Sequence, residues 1–312
     1  MNLFRFAASK LASLVGFTLL LSAAASAHAA PTIANISVRG LQIEGKTLLV
    51  IDGADLSPDT QIVSSVPLAQ QTVQPGATAN RVQIEVTVAG AAQPGIYYLW
   101  LANAKGISNP VAVGVDRLPQ QPFAPEVKAL PVALHGAVVG DQRPRVTFPG
   151  QAGQHVVIDV ETQRLGASVK PVLRLYDARG VQVAWSAPRP SIGGDARIAV
   201  TLPAAGNYTV ELHDVLYRAA APGFFRLKIG DLAYADLVHP AAVTRGTKAN
   251  LDFESSNLPA GTKAEFDATA LSPTNYPATW PANPALTAAR PRVPVPANVE
   301  STPVAPSTFL IT

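Results

Sequence analysis

Val82-Gln83-Ile84-Glu85-Val86-Thr87-Val88 alternates apolar and polar residues without a break. Successive side chains of a strand point to opposite faces, so Val82, Ile84, Val86 and Val88 share one face and Gln83, Glu85 and Thr87 the other. That is the signature of a strand with one buried side. Working outward, residues 47–51 and 96–101 are apolar on both faces. Pro94-Gly95 precedes the second of these and Asn103-Ala104-Lys105-Gly106 follows it, both with turn chemistry; Val111, Val113 and Val115 then alternate again. A hairpin therefore closes a first all-β unit. Read as an edge strand, 82–88 is also expected to be available for pairing with a partner strand.

The same grammar resumes after Leu118-Pro119-Gln120-Gln121-Pro122-Phe123-Ala124-Pro125, a stretch with three prolines and no charge that reads as an extended connector. Beyond it, Val156/Ile158/Val160, Leu173/Leu175, Val181/Val183/Trp185, Ile198/Val200/Leu202, Tyr208/Val210/Leu212 and Phe225/Leu227/Ile229 each read as the inward face of a strand. Six strands at this spacing make a second sandwich, with Asp177-Ala178-Arg179-Gly180 and Pro203-Ala204-Ala205-Gly206-Asn207 as reversals. Three-four spacing is nowhere sustained, so helix is expected only as scattered turns. The fold class is all-β, as tandem β-sandwiches.

Arg5 and Lys10 precede an apolar run, 11–21, and small residues follow as far as Ala30. This is the layout of a secretory signal, with Ala27-His28-Ala29 as the cleavage site between Ala29 and Ala30. The run is shorter than the roughly 20 residues that a spanning helix needs, which argues against a retained anchor. The protein is thus expected to be secreted or periplasmic. It has no cysteine, so its stability in an oxidising compartment must come from packed cores, and thiolate metal sites and cysteine nucleophiles are excluded. Only 14% of residues are charged where about 25% is usual, which is too apolar for a disordered chain. Net charge is −2 over 31–116, +3 over 117–236 and 0 over 237–312, with no basic cluster to form a nucleic-acid footprint.

Pro31-Thr32-Ile33, Leu48-Leu49-Val50-Ile51-Asp52-Gly53-Ala54-Asp55-Leu56, Gly95-Ile96-Tyr97 and Gly106-Ile107-Ser108-Asn109-Pro110 resemble the opening and close of TIG-type immunoglobulin-like domains. Gly153-Gln154-His155-Val156-Val157-Ile158-Asp159-Val160, residues 171–180 and Gly206-Asn207-Tyr208-Thr209-Val210-Glu211-Leu212 resemble the bacterial pre-peptidase C-terminal domain. The resemblance implies an immunoglobulin-like sandwich followed by a jelly-roll-like one. It also implies calcium, yet the family's acidic motifs are incomplete: Gly140-Asp141-Gln142-Arg143-Pro144 keeps one carboxylate, and Trp185-Ser186-Ala187-Pro188 stands where an acidic turn would be. Thr244-Arg245-Gly246-Thr247 and Ala249-Asn250-Leu251-Asp252-Phe253 resemble the start of a further immunoglobulin-like unit that is not completed. The expected organisation is a signal at 1–29, sandwiches at 30–116 and 130–236 joined by a linker at 117–129, an incomplete unit at 237–272, and a disordered tail at 273–312, where nine prolines fall in forty residues.

The chain carries no G-x-S-x-G, H-E-x-x-H or phosphate-cradling G-x-x-x-x-G-K, so no catalytic residue is assigned. His213 and Asp214 are sequence neighbours in a strand and point to opposite faces, which argues against a proton relay. His213 shares a polar face with Thr209 and Glu211, His155 starts a strand, His135 reads as a turn residue, and His239 as a linker residue before Pro240. Calcium needs six to eight oxygens, and the candidate carboxylates Asp141, Asp195 and Asp214 are isolated in sequence, so no metal or cofactor is assigned. Trp100 and Trp185 alternate with apolar neighbours and read as core residues. The expected function is a non-catalytic binding or adhesion module that recognises an extracellular or periplasmic protein or polysaccharide through sandwich loops. The alternative is an accessory targeting or chaperoning domain of a secreted peptidase or other hydrolase.

Overall fold

The computed structural model of the chain describes residues 29–256, 258–259, 261–279, 287 and 291–297. Residues 1–28 of the expected signal at 1–29 lie outside them; Ala29 and Ala30, at the expected cleavage point, precede the first strand. Among the described residues there is no α-helix, and no helix is long and apolar enough to cross a membrane.

The first unit contains β1 (Thr32–Ile36), β2 (Gly40–Gln42), β3 (Lys46–Ala54), β4 (Gln61–Ser64), β5 (Leu68–Val73), β6 (Arg81–Val88), β7 (Gly95–Asn103), β8 (Gly106–Ile107) and β9 (Val111–Asp116). One sheet runs β1-β3-β6-β5 and the facing one β2-β9-β7-β4, with β8 on β7. Val82, Ile84, Val86 and Val88 are all buried between them, as the alternation requires. β6 is not an edge, however: β3 and β5 take both its hydrogen-bonding sides, which removes the expected partner-strand site.

The second unit contains β10 (Gln120–Pro122), β11 (Val132–Ala137), β12 (Arg145–Gly150), β13 (His155–Glu161), β14 (Pro171–Tyr176), β15 (Gln182–Ser186), β16 (Arg197–Thr201), β17 (Gly206–Asp214) and β18 (Phe224–Gly230). Its sheets run β10-β11-β18-β13-β16 and β12-β17-β14-β15. Val156, Ile158, Val160, Leu173, Leu175, Val210, Leu212, Phe225, Leu227 and Ile229 fill the space between them with Phe148 and Tyr208, whose rings stack at 6.1 Å. Each such side chain contributes about 1.5–3 kcal/mol by leaving water. The segment expected as an extended connector pairs with the sheet, since β10 runs in parallel with β11 and Phe123 N–H donates to the His135 carbonyl. His135 accordingly sits inside β11, not in a turn, because 132–137 pair with β18 throughout.

The third unit contains β19 (Tyr234–His239), β20 (Lys248–Ser256), β21 (Lys263–Asp267), β22 (Asn275–Pro277) and β23 (Arg292–Pro294), in sheets β19-β20-β21 and β22-β23. His239 therefore ends a strand and does not lie in a linker. Of the segment expected as a disordered tail, residues 273–279, 287 and 291–297 are described, and within them β22 pairs with β23. Val293 and Val295 are 0% and 1% exposed and pack with Val238, Val243, Leu251 and Phe266, so the segment closes this unit's core. Pro294 falls between the valines and Pro296 follows them, and their carbonyls accept from Val243 and Arg245 N–H, which requires no donor from the prolines.

The outer face of sheet β10-β11-β18-β13-β16 is closed by its neighbours. The outward positions form rows across the strands: His135, Arg226 and Glu161 in one, Lys228, Asp159 and Arg197 in the next. From the first unit, Asp116 reaches Arg226 Nη2 at 2.6 Å, with both side chains 0% exposed. Arg226 Nη1 also meets Glu161 at 2.9 Å, and Lys228 Nζ meets both Asp159 and Glu161 at 2.7 Å. Arg39 lies over the Phe224 ring at 3.8 Å. From the third unit, Asp236 accepts from Arg197 at 2.6 Å, Tyr234 stacks under the same guanidinium, and the Thr287 carbonyl accepts from Lys228 at 3.0 Å. Burial opposes the charged form of Asp159, but Arg164, Lys228 and Arg197 outweigh it and hold this carboxyl well below its usual range. Glu161, against Lys228 and Arg226, is likewise brought to about 2. Three units are thereby keyed together through one charged sheet face.

Candidate binding face

The opposite sheet, β12-β17-β14-β15, presents its outer face differently. Register places Arg145 opposite Glu211, Glu211 opposite Arg174, and Arg174 opposite Trp185, so one row crosses all four strands. At about 4.8 Å per strand this row spans about 14 Å. The adjacent row is Thr147, Thr209, Tyr176 and Gln182, another line of polar and aromatic outward groups.

Trp185 is 61% exposed, which corrects its reading as a core residue. The cause is local. The pairing of β14 with β15 shifts register between Leu175 and Tyr176, whose partners are Ala184 and Gln182. Val183 is the extra residue, and this bulge breaks the alternation that made Val181, Val183 and Trp185 look like one inward face. Val183 and Ala184 lean on the core, while Val181 and Trp185 face solvent.

The row is pre-ordered by its own contacts. Arg145 Nε–H donates to Glu211 Oε2 at 2.7 Å, with Glu211 buried beneath it and Arg145 open to solvent. Arg174 Nη1 donates to Gln182 Oε1 at 2.8 Å, and its Nε–H donates to His213 Nε2 at 3.2 Å. Nε2 must then be the unprotonated ring nitrogen, and Nδ1–H donates to the Asp214 carbonyl at 2.9 Å. His213 shares the face with Thr209 and Glu211 as expected, but it is buried under Tyr217, whose ring stacks on it at 4.3 Å and 8°. Arg143 caps that ring at 4.6 Å. At the other end, Arg145, Tyr176, Asp177, Asn207 and Thr209 line a depression of about 440 Å³.

The candidate metal carboxylates serve loops. Asp195 is fully buried and accepts from Thr162 N–H and Oγ1–H, Gln163 N–H and Arg164 Nε–H. Asp214 accepts from the N–H groups of Lys170, Leu216 and Arg218; burial opposes its charge, but these donors win and its pKa lies below the usual value. Asp141 is exposed in the turn before β12. No three His, Asp or Glu residues among the described residues come together as a metal-holding group. His213 and Asp214 are joined through the backbone carbonyl, and the Asp214 carboxylate is directed elsewhere. Trp100 is half-buried on the outer side of β7, opposite exposed Val63 and 6.1 Å from the exposed Tyr98 ring. Glu211 was legible on a polar face, and Arg174 and Tyr176 alternate with the inward Leu173 and Leu175; the strand that carries Arg145 was not read, and nothing in the sequence marked these residues as neighbours of one another.

No family model and no curated protein matches this chain. Among solved structures, the periplasmic g-type lysozyme inhibitor PliG from Aeromonas hydrophila is similar at 16% identity and a TM-score of 0.25, over 36% of this chain and 99% of that one. SGBP-B of the Bacteroides ovatus mixed-linkage glucan utilization locus aligns at 11% identity and 0.24, over 64% of this chain and 74% of its own. The secreted serine protease VesC from Vibrio cholerae aligns at 8% identity and 0.24, over 63% and 50%. These are distant likenesses among β-domain proteins, and they assign the chain to no family.

Proposed function

We propose that the protein is an exported, non-catalytic binding module that engages an extracytoplasmic partner through the outer face of sheet β12-β17-β14-β15. The carrying observation is Trp185, 61% exposed at the end of the ordered row Arg145, Glu211 and Arg174. A large aromatic surface left in water beside pre-positioned hydrogen-bonding groups is the composition of a recognition surface. The position differs from the loop ends expected of a sandwich: strands hold these groups, and strand-borne sites are more rigid than loop-borne ones. The signal-like start and the likeness to pre-peptidase C-terminal and TIG-type modules agree with a place outside the cytoplasm. The test is retention of the mature chain from Ala30 on exported polysaccharides and proteins, compared with Trp185→Ala and Tyr176→Ala. Loss of retention in both variants with unchanged thermal unfolding is the expected result; retention unaffected by either variant rejects this face as the site.

A further inference from the structure

We infer that the partner is an acidic polysaccharide, one whose sugar rings carry carboxylate groups. This rests on the binding-face reading above and adds the chemistry of the occupant. The second unit carries the chain's basic excess, a net +3 over 117–236. On its closed face the charges are matched and buried: Arg226, Lys228, Arg197 and Arg164 are each within ion-pair distance of carboxylates. The open face is not matched. Arg143, Arg145, Arg174 and Arg179 lie on it or at its hairpin, against Glu211 and Asp177, and both carboxylates are already engaged, by Arg145 and Arg179 respectively. The flanking loops hold Lys170 and Arg218, whose N–H groups bond Asp214, together with exposed Asp141, and add no net charge. Solvent therefore meets guanidinium groups here, with Glu211 beneath them.

Three features select a glycan over another polyanion. Trp185 and Tyr176 stand on adjacent rows and offer flat rings of the kind on which a pyranose stacks. In the row of Tyr176 lie neutral hydrogen-bonding side chains, Thr147 and Thr209 on one side and Gln182 on the other, matched to hydroxyls. Arg174 has two of its three nitrogens fixed, by His213 and Gln182, which orients the guanidinium without a carboxylate of its own. A fork held in this way is suited to a ligand carboxylate. An extended row of about 14 Å with a depression at one end also fits a chain better than a single small molecule.

The test uses the mature chain from Ala30, with polygalacturonate and its carboxyl-reduced form as probes in affinity electrophoresis and titration calorimetry. The expected result is binding to polygalacturonate that weakens at least about tenfold on carboxyl reduction, a loss of roughly 1.4 kcal/mol per decade. It should also weaken on raising salt from 50 to 300 mM. Trp185→Ala should abolish binding to both polymers. Arg174→Gln should erase most of the preference for the acidic one, and circular-dichroism melting of each variant should match the parent. Equal affinity for both polymers, sensitive to Trp185→Ala, overturns the acidic class and leaves the face intact. Binding to neither polymer, together with Trp185-dependent capture of an exported protein, overturns the glycan and again leaves the face. No Trp185-dependent retention of any kind overturns both readings.

Discussion

The two outer faces of the second sandwich are built from the same alphabet and put to opposite uses. One carries Lys228, Asp159 and Arg197 in a row across β18, β13 and β16; the other carries Arg145, Glu211 and Arg174 across β12, β17 and β14. Each row is cation, carboxylate, cation. The first is roofed by Tyr234, Asp236 and Thr287 of the third unit, beside the Asp116 contact from the first, and its members are almost entirely out of water. The second has solvent above it and ends in exposed Trp185. The same cross-strand chemistry is a joint where neighbouring units cover it and an open face, the one proposed for binding, where they do not. The deciding variable is desolvation, which makes an ion pair costliest to break where both partners are dry and less so where one of them stands in water.

The sharpest way to break this comparison is to remove one cation from each face. Arg226→Ala strands Asp116 and Glu161 without their partner in a dry site, and the expected loss is about 3–5 kcal/mol. Arg174→Ala should cost less, about 1–3 kcal/mol, because Gln182 stays in water and the buried His213 Nε2 loses only a hydrogen bond, with no carboxylate left unpaired. Urea denaturation of both variants measures the difference. Equal losses would mean that the closed face is no more desolvated than the open one.

A smaller perturbation probes how tightly the first unit is seated. A Cβ on Gly114 would lie 2.5 Å from Glu161 Oε2 and 2.7 Å from Arg226 Nη1, and one on Gly40 would lie 2.4 Å from Arg226 Nε. The glycines are needed for this approach, not for turn geometry. Gly114→Ala should destabilise by about 1–3 kcal/mol through the displaced pair. Limited proteolysis in the 117–129 segment should accelerate in the same variant, and unchanged cleavage there would show that the two units are not held by this contact.

Much of the fold was legible because alternation reports burial directly: every residue of the Val82 to Val88 inward set is in the core. Alternation also has a blind side. Asp159, Glu161, Arg226 and Lys228 occupy outward positions and read as solvated residues, yet they are buried because their roof comes from elsewhere in the chain; Arg226 meets Asp116 at a separation of 110 residues. The bulge at Val183 moved Trp185 from core to surface, and no local residue announces a bulge. Val293 and Val295 were masked by the prolines around them, since proline density signals weak sheet but not the absence of an inward face. The open site was hidden for a related reason. Its residues come from four strands, and only register makes Arg145, Glu211, Arg174 and Trp185 consecutive.

Acid should act on the closed face first. Burial, and next the nearby Arg226 charge, hold His135 down to about 3, while its Nε2 lies 2.8 Å from Gln120 Oε1 beside the Arg226 and Glu161 pair. The folded state thus binds fewer protons here than the unfolded chain, whose histidine titrates near 6.5, so stability falls as pH drops from about 6.5 toward 3. Glu161 works in the same direction at lower pH: its stabilisation is present above about 4.5 and is lost as pH falls through about 2. Replacing His135 by glutamine should flatten the decline between pH 6.5 and 4 and leave the Glu161 limb. Urea midpoints measured across that range decide it, and a parent-like slope in the variant would remove His135 from the account.

The smallest expected stability effect belongs to the most conspicuous side chain. Trp185 is large, and Phe148 or Tyr208 of comparable bulk should cost about 3–5 kcal/mol on truncation to alanine, because each would leave a cavity in a packed core. Trp185→Ala opens no cavity, since its ring already stands mostly in water, and its backbone pairing with Arg174 survives the change. The expected shift is within about 0.5 kcal/mol of the parent, readable as an unchanged melting midpoint. An exposed aromatic that contributes nothing to folding is what the proposed binding face requires of Trp185. A loss of several kcal/mol would place the ring back among the packing residues and return the open face to the same structural role as the closed one.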